Sequence, residues 1–182
     1  ELVRAIGLDT AAAAAAVARV VVVTADPRTA ADAAAISGVT VVAEEEPHGL
    51  NAAIALGMPA VDVPRAALLG DLPALRPEDL RRALHAAASV DRAVVADAEG
   101  TGSTLVTARA GVAWESAFGE GSLARHLALG CVRLDVSEQS TLRRDVDTMA
   151  QLAAAAALGL GPRSVRFSTG SALSQGGHHR EA

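Results

Sequence analysis

Ala66-Ala67-Leu68-Leu69-Gly70-Asp71-Leu72-Pro73 is the stretch that most narrows what this chain can become. Four apolar residues in a row, closed by Gly70 and Pro73, suit a parallel strand covered on both faces, since an exposed strand would alternate polar and apolar positions. Asp71 then stands at the strand's carboxyl end. In open α/β sheets that edge is where ligands bind, because the loops there converge on a crevice that side chains line without disturbing the core. A plainer reading makes Asp71 the cap of the next turn, and an isolated Gly-Asp would favour it. Here Asp71 has company: Arg144-Asp145-Val146-Asp147-Thr148 supplies a second acidic strand end, and Gly100-Thr101-Gly102-Ser103-Thr104 a phosphate-sized loop between the two.

Around that line the chain alternates. Glu1 to Ala18 is rich in the best helix former. Val20 to Thr24 is too β-branched for a helix and reads as a fully buried strand. Asp26 and Pro27 cap and open a second helix, Val39 to Val42 is a strand, and Leu50 to Leu56 a short helix. Pro77 starts a helix with Glu78 and Asp79 in its first turn, favourable against the helix dipole. Strands are expected at Arg92 to Asp97, Leu105 to Ala108, Val132 to Val136 and the Arg144 to Asp147 segment; helices at Leu123 to Leu129 and, capped by Thr148, Met149 to Leu158. This rhythm predicts a three-layer α/β fold, Rossmann-like, with a mostly parallel sheet. Residues 1–165 form the expected domain, and 166–182, small and polar, an expected disordered tail.

Composition excludes several classes. A net charge of -5 and 2% aromatic residues leave neither the basic stripe nor the stacking platforms of a nucleic-acid surface. The alanine runs are shorter than the about 20 apolar residues a membrane span needs, so no membrane partner is implied. A lone Cys131 makes no internal disulfide, which points to a reducing cytoplasm, and its place before a strand suits packing.

The chemistry lies in four places. Asp71 and Asp145, with Asp147, meeting across a crevice would hold a hard divalent cation, best magnesium, which takes one or two carboxylates and leaves its other positions to water and phosphate. For Asp147 an N-cap is an equal reading, and Arg144 with Asp145 also reads as a surface pair. The glycines of 100–104 let backbone approach an anion and its hydroxyls donate, although Gly-Thr-Gly also makes ordinary turns. Gly119-Glu120-Gly121-Ser122 opens a helix with N–H groups suited to a phosphate or carboxylate, or is a plain cap at Ser122; Arg125 and His126 follow.

Leu69 to Leu75, Gly100 to Thr104, Phe118 to Ser122 followed by His126, and Asp145 to Thr148, in that order, resemble the phosphoenolpyruvate/2-phospho-L-lactate guanylyltransferases of coenzyme F-420 biosynthesis. The resemblance covers about Leu2 to Gly161. It implies the nucleotidyltransferase variant of the Rossmann-like fold, GTP and Mg²⁺, and transfer of GMP to phosphoenolpyruvate or another phosphorylated three-carbon acid with release of pyrophosphate. By the same resemblance Asp71 and Asp145 are catalytic and hold the metal, Ser103, Gly119 and Ser122 hold the acceptor, and Gly49, Asn51 and Gly70 face the nucleotide. Ser103 stands where the family more often has Thr, which keeps the hydroxyl. The family opens with a strand and a basic loop that grip the triphosphate, and this chain has no lysine at all. A first strand and that loop, on roughly 25 to 40 further residues, are therefore expected ahead of Glu1.

Both substrates are anions, so catalysis by such a site is positioning plus charge neutralisation, with no covalent enzyme intermediate. Other readings remain at this stage: a related nucleotidyltransferase acting on a molybdopterin or a sugar phosphate, and a non-catalytic nucleotide-binding module. A NAD-dependent oxidoreductase is disfavoured because no Gly-x-Gly-x-x-Gly opens a helix after a strand.

Overall fold

The structure is a computed structural model that describes residues 1–58 and 60–168. Helices and strands alternate: α1 (Leu2–Ala15), β1 (Val20–Thr24), α2 (Pro27–Ala34), β2 (Val39–Ala43), α3 (Leu50–Gly57), β3 (Arg65–Leu68), α4 (Pro77–Ala87), β4 (Arg92–Ala96), β5 (Ser103–Ala108), α5 (Ser122–Ala128), β6 (Val132–Arg133), α6 (Met149–Leu158) and α7 (Val165–Ser168). The α/β class is as expected, and local signals set many boundaries. Asp26 caps α2 by accepting from the N–H groups of Arg28 and Thr29, and Thr148 caps α6 in a reciprocal box with Gln151.

Strands β1 and β2 pair in parallel, and a four-stranded sheet runs in the order β3-β5-β4-β6. In that sheet β5 is antiparallel to both β3 and β4, while β6 is parallel to β4, so β3, β4 and β6 all point the same way. The reversal of β5 has a simple cause: the link from Ala96 to Ser103 is too short for a crossover and must make a hairpin. Hence the Ala66 to Leu69 run is not covered on both faces between parallel neighbours. Among the described residues it is an outer strand with an antiparallel partner, and Ala66 is exposed. Likewise Val20–Thr24 is only half-buried, with Val21 exposed.

Alternation along β4 and β5 builds two layers. Val95 and Leu105 face a cluster with Leu72, Leu75, Leu80, Ala83 and Leu142 on the α1 and α4 side. Val94, Ala96 and Val106 face Phe118, Leu123 and Cys131 on the α5 side. Burying each such Leu, Val or Phe side chain contributes about 1.5–3 kcal/mol, which makes this sheet the rigid part of the molecule. Burial pushes the Cys131 thiol up, consistent with a packing role.

Two strand expectations fail. Only Val132–Arg133 of 132–136 is a strand, and 144–147 carries none; a 3-10 turn, Thr141–Arg143, stands before it. Side-chain bonds replace the ladder there, as described below. The helix Val165–Ser168 runs past the expected domain edge into the tail expected from 166 to 182, and the rest of that tail, 169–182, lies outside the described residues. No helix among the described residues is long and apolar enough to cross a membrane.

Candidate active site

Asp71 lies just beyond the end of β3, on a segment fastened at several points. Leu69 N–H donates to the Thr104 carbonyl at 2.9 Å, and Leu72 N–H to the buried Thr10 hydroxyl at 3.1 Å. The Pro73 carbonyl accepts from Gly161 N–H at 2.8 Å, and Arg76 N–H donates to Thr141 Oγ1 at 2.9 Å. Leu72 and Pro73 are fully buried. The carboxylate of Asp71 thus rides on backbone that cannot shift without breaking several bonds at once.

Asp145 has a different mount. Arg143, two residues earlier, is buried and donates Nε to the carbonyls of Ala96 and Asp97 at 3.1 Å each and its Nη2 to Asp97 at 2.8 Å. That guanidinium covers the carbonyl end of β4 and takes the place of strand pairing. Thr141, at the start of the same turn, is gripped by Asp79 of α4. The charge of Asp71 adds to what raises Asp145, so the two carboxylates lie within electrostatic reach of each other.

Both have their ionised forms disfavoured. Burial pushes Asp145 up to about 7, with Asp71 the next cause and Asp97 and Glu99 adding to it. Burial also raises Asp71, and the charge of Asp147 adds. Asp71 Oδ1 and Asp145 Oδ1 are buried without a hydrogen-bond partner. Paired buried carboxylate oxygens that repel each other and bond to nothing suit a hard cation, and magnesium accepts such a pair with water and phosphate completing its shell. No cluster of three or more His, Cys, Asp or Glu side chains with metal-binding geometry exists among the described residues, so the pair stands without a third carboxylate. Asp147 is exposed, with its N–H on Gln151 Oε1 at 2.9 Å, and the N-cap is Thr148, not Asp147.

The loop 100–104 is not the open anion cradle its glycines promise. Asp97, at the end of β4, already fills it: Oδ1 accepts Thr101 N–H at 2.9 Å and Oδ2 accepts Gly102 N–H at 2.6 Å. A Cβ at Gly102 would run into that carboxylate, so the glycine is there for an internal anion. The Thr101 carbonyl in turn accepts Leu123 N–H at 3.1 Å, which joins this loop to the start of α5.

Around the start of α5 the expected residues do come together. Ser103 Oγ lies 3.0 Å from Nδ1 of the fully buried His126, whose Nε2 accepts Ala117 N–H at 2.9 Å. Beside Ser103, Thr104 is fully buried and its hydroxyl has no partner. Gly119 has φ 122° and Gly121 φ 65°, and a Cβ at Gly119 would meet the Arg125 guanidinium at 3.1 Å. An exposed cation therefore overhangs the Gly119 to Ser122 loop. Ser122 N–H is engaged by the Gly119 carbonyl at 3.1 Å and Leu123 N–H by the Thr101 carbonyl at 3.1 Å, so neither of these two amides is open to an anion.

Asn51, at the start of α3, clamps the same loop from the other side. Its Oδ1 accepts Phe118 N–H at 2.9 Å and the Ser116 hydroxyl at 3.2 Å, and its Nδ2 donates to the Phe118 carbonyl at 3.1 Å. Most of its amide's capacity is taken up by that loop. Gly49, with φ 91°, and Gly70 each open on free space, with nothing within 4 Å of where a Cβ would stand. The sequence reading gave no role to Asp97 or Arg143, gave Asp79 only a place in a helix first turn, and took Thr104 only as one hydroxyl of the 100–104 loop. Asp97 left a trace, an aspartate directly ahead of a glycine-rich turn; Asp79 and Arg143 bond across long separations in the chain.

Comparison with known proteins finds a matching family and several similar proteins. Residues 1–158 match the family model described as guanylyl transferase CofC like. The chain is 48% identical to a phosphoenolpyruvate guanylyltransferase of Thermomonospora curvata over 96% of this chain and 83% of that one. It is 47% identical to one of Streptomyces scabiei, over 85% and 75% of the two chains. With one of Sanguibacter keddieii it shares 56% identity over 64% of this chain and 44% of the relative.

Proposed function

The chain belongs to the CofC-like guanylyl transferase family, and we propose that it transfers GMP from GTP to phosphoenolpyruvate, releasing pyrophosphate, as a step in coenzyme F-420 biosynthesis in the cytoplasm. One observation carries the reading beyond resemblance: the mutually repelling Asp71 and Asp145, each with a buried, unpartnered carboxylate oxygen and each on its own rigid mount. Such a pair is costly unless a cation joins it. Asp71 and Asp145 would hold magnesium, which when bound neutralises phosphate charge and orients the reacting groups.

On this reading the chain's own residues do three things. The Asp71 and Asp145 carboxylates would hold the cation that offsets the phosphate charge. The Gly119 to Gly121 backbone and the Ser103 and Ser122 hydroxyls hold the acceptor, with the Arg125 guanidinium beside Gly119 to offset its charge. Gly49 and Gly70 leave room for the nucleotide. An acceptor phosphate oxygen then attacks the α-phosphorus in line, and the protein supplies position and electrostatics only.

The test is product analysis with the full-length protein, GTP, Mg²⁺ and each of phosphoenolpyruvate, 2-phospho-L-lactate and 3-phosphoglycerate. A guanylylated phosphoenolpyruvate with stoichiometric pyrophosphate is expected, and ATP should substitute poorly. Transfer to another acid, or equal use of ATP, would overturn the assignment.

A further inference from the structure

We infer that His126 is a positioning residue of the acceptor side: held in its Nδ1–H form, it fixes the Ser103 hydroxyl as a hydrogen-bond donor to the acceptor. This rests on the reading above, in which Ser103 faces the acceptor.

The tautomer follows from one bond. A backbone N–H can only donate, so the Nε2 atom that receives Ala117 N–H at 2.9 Å must carry a lone pair. The proton of a neutral ring is then on Nδ1, the atom 3.0 Å from Ser103 Oγ. If the serine were instead the donor, both ring nitrogens would have to be bare, which is an imidazolate. A charged ring is no better, because a proton on Nε2 would meet the Ala117 N–H head on. Two further facts agree. The Ser122 carbonyl also lies where it stabilises a donor on this ring, and burial, followed by the nearby Arg125 charge, disfavours the cation. Phe118 stacks edge-on at 4.8 Å and closes off rotation of the imidazole.

Ser103 therefore receives a hydrogen from His126 and keeps its own to give. Its position is fixed as well: it begins β5, opposite Ala96 at an irregularity in the pairing of β4 and β5, directly after the loop that Asp97 holds. A serine whose oxygen is already engaged by a donor is a poor acceptor and a directed donor, which suits the oxygens of a phosphate or carboxylate. His126 also ties that serine to the 115–119 loop through Ala117, so one buried ring aligns two parts of the acceptor's surroundings.

Two measurements on the full-length protein test this. Long-range ¹H–¹⁵N correlation at neutral pH, without substrate, should show His126 neutral, with Nδ1 protonated and Nε2 bare. A ring protonated on Nε2 would overturn the positioning role whatever the enzyme acts on. Steady-state kinetics supply the second. Ser103→Ala and His126→Gln should each raise the acceptor KM roughly tenfold with little change in that for GTP. The double variant should be no worse than either single one, and His126→Asn, whose amide N–H can reach Ser103, should recover most of the loss. Independent, multiplying effects would mean that His126 does not act through Ser103. An Nδ1–H ring with an unchanged acceptor KM in Ser103→Ala would overturn the acceptor assignment instead.

Discussion

Thr141 gives both its backbone N–H and its hydroxyl hydrogen to one oxygen of Asp79, at 2.8 and 2.6 Å, while its own hydroxyl oxygen accepts Arg76 N–H at 2.9 Å. The segment that follows Asp71 and the turn that precedes Asp145 are thereby fastened to the same hydroxyl. One buried residue thus joins the backbone that follows Asp71 to the turn that precedes Asp145.

Replacing Asp79 by Ala would strand the buried Thr141 N–H and loosen that hydroxyl, a cost of about 1–3 kcal/mol. A protein of this size should lose roughly 2–4 °C in Tm per kcal/mol. The loss should depend on pH. Burial pushes the Asp79 carboxyl up, but the two Thr141 donors and Arg82 outweigh it and hold the group below its usual 3.8. A depressed folded pKa gives stability that is present above the unfolded value and disappears as pH falls through the folded one. Denaturant titrations should therefore show a large gap between wild type and Asp79→Ala near neutrality and a smaller one in acid below 3.8. A gap that widened in acid would refute this role.

Asp145 behaves in the opposite sense. With its carboxyl raised from 3.8 to about 7, the metal-free protein holds its proton more tightly than the unfolded chain. The associated stability is complete below 3.8 and is lost as pH rises through about 7. Asp145→Asn should therefore melt a few degrees higher than wild type at alkaline pH without Mg²⁺, while losing turnover and any stabilisation by Mg²⁺ with GTP. Thermal melts with and without the metal decide it; an Asn variant that still gained stability from Mg²⁺ would remove Asp145 from the metal site.

The contrast between these residues shows what was legible in the chain. Strand β1, helix α6 and the start of helix α2 could be read to the residue, because β-branching, the Thr148 cap and Asp26-Pro27 act over a few neighbours. Asp71 and Asp145 could be read as strand-end acids, although only Asp71 follows a strand. The 144–147 segment was misread because its anchor, Arg143 on the carbonyls of Ala96 and Asp97, spans a separation of 46 and 47 positions that no local pattern reveals. The loop at 100–104 was misread for a related reason. Glycines allow an anion to approach but do not say whose, and here it is the protein's own Asp97.

Gly102→Ala provides a direct check on that internal anion. The new methyl group would meet the Asp97 carboxylate and force it off the Thr101 and Gly102 amides. Loss of two charge-assisted bonds should cost about 2–4 kcal/mol of stability, and the displacement should reach Ser103 at the start of β5. Reduced denaturation midpoint together with a raised acceptor KM is the expected pair of results. An open phosphate loop would predict a different pair, an unaltered midpoint with weaker GTP binding.

Asn51 separates the two sides of the site. A base-reading asparagine would need its amide for guanine, but its oxygen holds Phe118 N–H and Ser116 Oγ, and its nitrogen holds the Phe118 carbonyl. Asn51→Ala should release the loop that carries Gly119, raising the acceptor KM by roughly tenfold and leaving the preference for GTP over ATP almost unchanged. Asn51→Asp keeps an oxygen for Phe118 N–H but sets a charged oxygen against the Phe118 carbonyl, so its effect should be at least as large. Competition assays with GTP and ATP, run beside acceptor titrations, read both quantities. A variant that began to accept ATP while its acceptor KM stayed fixed would return Asn51 to the base pocket.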